Sequence, residues 1–247
     1  MRAIITGASS GLGLELAREL SRRGWELVLL ARRVELIEKL PRSEAIACDV
    51  TDAAAVRAAV QQAGGVFDLA VANAGVSIPV HAASFNLADA EQIIRVNVLG
   101  MMYLFDAVIP SMIERRSGRF AGVASLAGLR GLPASGPYSA SKAAMQTFLE
   151  ASRIELAPYG VGVTIVNPGF VATPMTEKNS FRMPFLMTAG RSARIIADGL
   201  ERGKRVIEFP RGTSLVMRIV RQLPDALYDR ILIPYGRRRM NREKVKR

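Results

Sequence analysis

Seven short apolar runs, rich in β-branched residues, recur along the chain at 3–6, 26–30, 44–48, 67–72, 118–124, 162–167 and 205–209. Between them lie stretches with helical periodicity, at 11–23, 34–40, 52–62, 87–100, 101–116, 137–157 and 191–202. This alternation constrains the fold more than any other feature. Strands separated by helices pair in parallel, and the helices cover both faces of the sheet they connect. The expectation is an α/β fold, a doubly wound parallel sheet of about seven strands in a single domain. Thr51-Asp52 and Ser192 are expected to start the helices beside them. No repeat, low-complexity linker or break in composition interrupts the chain before its basic end.

The first strand runs straight into Thr6-Gly7-Ala8-Ser9-Ser10-Gly11-Leu12-Gly13, which opens the first helix. Glycines there permit a tight turn and close backbone approach, and a helix N-terminus presents N–H groups and a favourable dipole to a pyrophosphate. A Rossmann-type dinucleotide site follows from a loop so placed, although the spacing is Gly-x-x-x-Gly-x-Gly. A glycine turn without a ligand is the plainer alternative. The second strand ends in Leu30-Ala31-Arg32-Arg33, with arginines where a carboxylate would bind a ribose 2′-hydroxyl. Arginine suits a 2′-phosphate, with Ser9 adding a hydroxyl, so the inferred cofactor is NADP(H). Ordinary surface charge would also account for the two arginines.

Tyr138-Ser139-Ala140-Ser141-Lys142 begins the helix expected over 137–157. Tyr and Lys four residues apart share a helix face. An adjacent ammonium is expected to lower the phenol pKa towards working pH, so that the pair can exchange a proton with an alcohol or carbonyl oxygen. A partly exposed Tyr beside a solvated Lys is the plainer reading of the spacing alone. Composition narrows the alternatives. Cys48 is the single cysteine and His81, placed in a loop, the single histidine, so a cysteine- or histidine-rich metal cluster is excluded. Tyrosine, lysine and serine are left as the reacting groups.

Taken together, Thr6 to Gly13, Cys48-Asp49-Val50, Ala72-Asn73-Ala74-Gly75, Asn97, Ser125, Tyr138-x-x-x-Lys142 and Pro168-Gly169-x-x-x-Thr173 resemble the short-chain dehydrogenase/reductase family over residues 1–209. Ala72 departs from the pattern, where many members carry a second Asn. The resemblance implies an oxidoreductase that interconverts a carbonyl and a secondary alcohol. Tyr138 would be the acid/base and Lys142 would lower its pKa and bind the nicotinamide ribose. Ser125 would hold the substrate oxygen, and Asn97 a water leading to Lys142. The cofactor would lie against Gly7, Ser9, Ser10, Gly11, Leu12 and Gly13. Asp49 and Val50 would border the adenine. Asn73, Ala74 and Gly75 would pass near the cofactor, and Pro168, Gly169, Val171 and Thr173 would orient the nicotinamide amide. A non-catalytic NADP-binding regulator or scaffold on the same fold is the alternative.

A catalytic domain over 1–210 would carry an apolar lid at 173–190, containing Met175, Phe181, Met183, Phe185, Leu186 and Met187. Its side chains favour an apolar substrate. An apolar helical extension at 211–236 and a basic, disordered tail at 237–247 complete the chain. The tail holds seven basic residues and one Glu, hence +6 of the net +12. Charge concentrated at one end argues against a nucleic-acid footprint. It leaves two readings: peripheral contact of 212–247 with an anionic membrane, or a helix packed on the lid with a solvated tail. The N-terminus begins with a strand and no leader is apparent, so the expected compartment is the cytoplasm. A homodimer or homotetramer through the helices at 101–116 and 137–157 is what the resemblance implies.

Overall fold

The structure, a computed structural model, describes residues 1–37, 39–177 and 183–244, with side chains as far as residue 234. In chain order its elements are β1 (Arg2–Thr6), α1 (Gly11–Arg22), β2 (Glu26–Ala31), β3 (Ser43–Ala47), α2 (Ala53–Gln62), β4 (Leu69–Ala72), α3 (Leu87–Ile94), α4 (Gly100–Glu114), β5 (Arg119–Val123), α5 (Gly136–Leu156), β6 (Gly162–Pro168), β7 (Val171–Ala172), α6 (Pro174–Glu177), β8 (Met187–Thr188), α7 (Ala189–Glu201), β9 (Val206–Phe209), α8 (Arg211–Gln222) and α9 (Asp225–Lys244). Seven strands form one parallel sheet in the order β3-β2-β1-β4-β5-β6-β9.

The order reverses beside β1. From β1 the chain winds outward to β2 and β3, then returns to place β4 on the other side. A crevice opens at the carboxyl ends of β1 and β4, where connections leave in opposite directions. Strand alternation fills both faces. Ile4, Val28, Leu30 and Ala70 point towards the core under α2, α4 and α5, with Met101, Leu104, Val108, Met145 and Leu149. Ala3, Ile5, Leu27, Leu29 and Val71 point to the other core, with Leu16 and Leu20 of α1 and Ile196 and Leu200 of α7. Inward side chains on both faces explain why the strands read as nearly continuous apolar runs.

The expected strands all form, and most helices do. The helix expected at 34–40 is a single 3-10 turn, Val34–Leu36, with Glu38 outside the described residues. Leu36 is exposed, Ile37 is buried, and Val34 and Leu40 are only partly covered by the core, too little burial to hold a longer helix. The two helices expected at 87–100 and 101–116 join into one rod, Leu87–Glu114, through a π turn at Arg95–Leu99. By length and hydropathy this rod could cross a membrane, yet its inner face packs in the core with Met101, Leu104 and Val108. Asp52 caps α2 as expected, its carboxylate accepting from Ala54 and Ala55 N–H. For α7 the cap is Thr188, accepting from Arg191 N–H at 3.4 Å, while Ser192 donates back to the Thr188 carbonyl. The basic stretch expected to be a disordered tail continues α9 as helix through Lys244.

Candidate active site

The glycine loop is built by tight main-chain fit. Gly7 has φ +67°, and a Cβ there would lie 2.8 Å from Ala74 Cα; one on Gly13 would overlap Asn73 Nδ2 and the Gly7 carbonyl. Asn73 Nδ2 donates to the Thr6 and Gly7 carbonyls at 3.0 and 3.2 Å, and Thr6 Oγ1 accepts from the N–H groups of Asn73 and Ala74. The ends of β1 and β4 are thereby clamped. At the N-terminus of α1, the Ser10 side chain makes no capping bond and no acidic residue stands in the first turn. The N–H groups and dipole are left for an anion.

This loop forms the floor of a cleft of about 310 Å³. All the expected cofactor residues line it: Gly7, Ser9, Ser10, Gly11, Leu12, Gly13, Arg32, Arg33, Asp49, Val50, Asn73, Ala74, Gly75, Pro168, Gly169, Val171 and Thr173, with Tyr138 and Lys142. Arg32 and Arg33 are exposed at its rim. Asp49 accepts from Thr51 N–H and Oγ1 at 2.9 and 2.8 Å. The Thr51 N–H chiefly holds its carboxyl below the usual range; burial opposes this, and the Thr51 hydroxyl and the Arg32 charge add to the lowering. The strand-turn-helix cradle, an uncapped anion-receptive terminus and two rim arginines together fit a dinucleotide.

The other end of the cleft is assembled from distant segments. Ser125 follows β5, and its Oγ accepts from Ala127 N–H at 3.1 Å and donates to the Pro168 carbonyl at 3.4 Å. Tyr138 and Lys142 come from the first turns of α5. The Ser125 side chain acts on the Tyr138 phenol, drawing its pKa down slightly. Lys142 is 4% exposed, donates to the Val123 carbonyl at 2.8 Å, and stands 5.8 Å from the Tyr138 ring centroid.

The expected lowering of the Tyr138 pKa is reversed. Burial raises it above the ordinary phenol range, against the smaller effect of the Ser125 side chain. Burial also lowers Lys142, to about 7. Helix spacing does bring the two side chains together, but Lys142 is buried and Tyr138 half-buried in the cleft wall, and loss of hydration disfavours the ammonium and the phenolate alike. A lysine of that pKa is about half charged at neutral pH.

Asn97 is fully buried in the π turn and does not line the cleft. Its Oδ1 accepts from Val76 N–H at 2.8 Å, and its Nδ2 donates to the Val76 carbonyl and to Ser141 Oγ at 3.1 and 3.0 Å. Both amide hydrogens are used, so the side chain acts as a clamp on the 75–76 segment and on α5. Its Oδ1 and Lys142 Nζ both approach Gly75.

Sequence reading missed Gln146, one turn beyond Lys142. Its Nε2 donates to the Ser125 carbonyl at 2.7 Å and to Asn167 Oδ1 at 2.9 Å. Asn167 Nδ2 continues to Glu208, which accepts from Ser214 and Arg218. The spacing 138, 142, 146 on one helix face was the available signal. At the base of the stretch expected to be a lid, β7 and β8 pair as an unforeseen two-stranded ladder. Met175 and Thr176 line the cleft; Phe181 lies outside the described residues.

Fold and cleft define a doubly wound dinucleotide-binding protein with a Ser-Tyr-Lys group at the end of its nucleotide groove. Residues 1–183 match the family model described as short chain dehydrogenase. The chain is 41% identical over 240 residues to an uncharacterized oxidoreductase of Myxococcus xanthus, covering 92% of this chain and 94% of that protein. It is 36% identical to the ketoacyl reductase HetN of Nostoc, covering 74% and 68%. A short chain dehydrogenase from Burkholderia cenocepacia in complex with NADP superposes with a TM-score of 0.84 at 27% identity, covering 94% and 97%. A 3-ketoacyl-(acyl-carrier-protein) reductase from Brucella melitensis complexed with NADH gives 0.80 at 27%, covering 86% and 98%. The chain belongs to the short-chain dehydrogenase/reductase family of oxidoreductases.

Proposed function

We propose that the chain is an NADP(H)-dependent oxidoreductase that interconverts a carbonyl and a secondary alcohol, with Tyr138 as acid/base. The observation that carries this is the meeting of Ser125, Tyr138 and Lys142 in the same cleft as the anion-receptive glycine loop. The nicotinamide would supply or accept the hydride. The chain handles the oxygen and its proton. In reduction Tyr138 Oη gives its proton to the carbonyl oxygen as the alcohol forms. Its raised pKa keeps the phenol protonated at neutral pH, which suits that direction. Ser125, whose hydroxyl now makes a long bond to the Pro168 carbonyl, turns that hydrogen to the substrate oxygen and supplies a second donor to the developing charge. Lys142 becomes fully cationic when negative charge is docked along the cleft, and then steadies the phenolate. Asn97 positions rather than reacts.

Arg32 and Arg33 support NADP(H) over NAD(H), as does the NADP in the Burkholderia protein; the Brucella protein with NADH makes the choice a real test. An apolar substrate is supported by Met175 at the cleft and by the exposed Phe185 and Leu186 of the lid. Two similar proteins bear ketoacyl reductase names. We assign catalysis to 1–210 with its lid at 173–190, and place the protein in the cytoplasm with 212–247 at the membrane surface. A homodimer or tetramer would pair through α4 and α5, where Ile154 is 68% exposed.

The test is NADPH oxidation followed by absorbance across apolar ketones, aldehydes and 3-ketoacyl thioesters, with products found by mass spectrometry. Turnover of at least one apolar carbonyl is expected. Tight NADPH binding without turnover across the panel would leave the regulator reading instead.

A further inference from the structure

Beyond the cleft, an exposed apolar surface lies on the C-terminal helices. Leu215, Val216 and Ile219 are 62%, 51% and 57% exposed. At 100° per residue they fall on one face of α8, with Gly212 on the same line. The opposite face is anchored by Ser214, buried and bonded to Glu208. The Phe185 ring covers Gly212, where a Cβ would meet it at 3.2 Å, so the lid extends the apolar strip. Leu227, Ile231 and Ile233 of α9 are also about half exposed.

The rim of this surface is predominantly basic, although Asp225 and Asp229 are exposed on α9 and Arg218 is paired with Glu208. Arg211 and Arg218 follow one edge of the α8 strip, both exposed, and Arg230 lies on α9. Across 211–247 there are eleven basic and three acidic residues, hence +8 of the chain's +12. The other 210 residues carry only +4. Apolar side chains beside concentrated positive charge match an acidic lipid surface, which offers an acyl boundary and an anionic layer together. A protein partner of mixed charge would not call for such an imbalance.

The strip also borders the substrate end. A Cβ on Gly169, which lines the cleft, would meet Thr213 of α8 at 3.3 Å. Arg130, between Ser125 and Tyr138 in the chain, pairs with Asp225 and lies over the Tyr228 ring of α9. Tyr228 in turn donates to the Gly131 carbonyl.

We propose that the outer face of α8, extended by Phe185 and the start of α9, docks on an anionic lipid bilayer and turns the substrate end of the cleft towards it. The docking itself does not depend on the activity. What it delivers, an apolar carbonyl or alcohol dissolved in the membrane, rests on the oxidoreductase reading above.

Flotation of the full chain with vesicles tests this. The chain should float with phosphatidylcholine vesicles containing phosphatidylglycerol, and about tenfold less with phosphatidylcholine alone. The double variant Leu215→Asp, Ile219→Asp should lose about tenfold or more of the recovery while keeping its melting temperature, since both positions are exposed. Replacing Arg237, Arg238 and Arg239 by Gln should weaken recovery only on the anionic vesicles. Turnover of a water-soluble ketone in vesicle-free buffer should be unchanged in the Asp variant. No recovery of the native chain on anionic vesicles, or equal recovery of native chain and Asp variant, overturns the proposal. So does light scattering in which the Asp variant drops to a smaller oligomer, because a second copy then covers the face. A chain that floats but reduces no ketone keeps the docking surface and removes the enzyme reading.

Discussion

The two ends of the cleft are built differently. The glycine loop at the nucleotide end is one strand, one turn and one helix, contiguous from Arg2 to Arg22 and clamped by Asn73, with Arg32, Arg33 and Asp49 joining it from the ends of β2 and β3. The substrate end gathers Ser125 after β5, Tyr138 and Lys142 on α5, Pro168 and Gly169 after β6, and α6, with α8 and α9 behind them. Local sequence dictates the first, because the glycines are needed by the turn itself. Tertiary packing dictates the second, because no short stretch contains it. The first end should therefore fail by steric insult to the backbone, and the second by loss of individual functional groups.

The largest effect that would sharpen this contrast is expected at Gly13. Its Ala variant puts a methyl group onto Asn73 and the Gly7 carbonyl. Overpacking of this kind costs about 1–3 kcal/mol, and NADPH affinity by fluorescence titration should fall about tenfold or more. Unchanged affinity would mean the loop is looser than its contacts imply. A smaller effect is expected at the rim. Arg32→Ala with Arg33→Ala should lower the preference for NADPH over NADH about tenfold or more in kcat/KM, as charge-assisted bonds to a phosphate are lost. An unaltered ratio would return both arginines to ordinary surface charge.

A third effect, read in stability rather than in binding or turnover, concerns the buried lysine. The Lys142 pKa is lowered from 10.5 to about 7 on folding. Between those values the unfolded chain binds more protons, so the stability of the free protein should rise with pH, by at most about 1.4 kcal/mol per pH unit. The gain is complete above 10.5 and lost as pH falls through 7. Lys142→Met should flatten that slope in denaturant melts from pH 7 to 9. An identical slope in both proteins would place Lys142 in water rather than in the core.

The same contrast explains what could be read from the sequence. The strands were visible because both faces of the sheet are buried, and the glycine loop because its position directly after a strand is a local property. The π turn at Arg95–Leu99 was not visible, since a continuous apolar pattern does not record one extra residue per turn. Gln146 was hidden because its partners, the Ser125 carbonyl and Asn167, are 21 residues away on either side. The direction of the Tyr138 shift was misread for a related reason. Spacing reports that Lys142 is adjacent, whereas the pKa depends on how fully both groups are enclosed. Ser192 lies in the first turn of α7, bonded back to the cap Thr188, whose position four residues earlier the local pattern did not single out.

The central claim is that the Tyr138 hydroxyl moves the proton. Single-turnover reduction of a responsive ketone by bound NADPH, comparing the native chain with Tyr138→Phe, tests it most directly. The variant should be about 10²–10⁴ times slower, with NADPH affinity within about threefold. A variant that reduces the ketone at the native rate would contradict it.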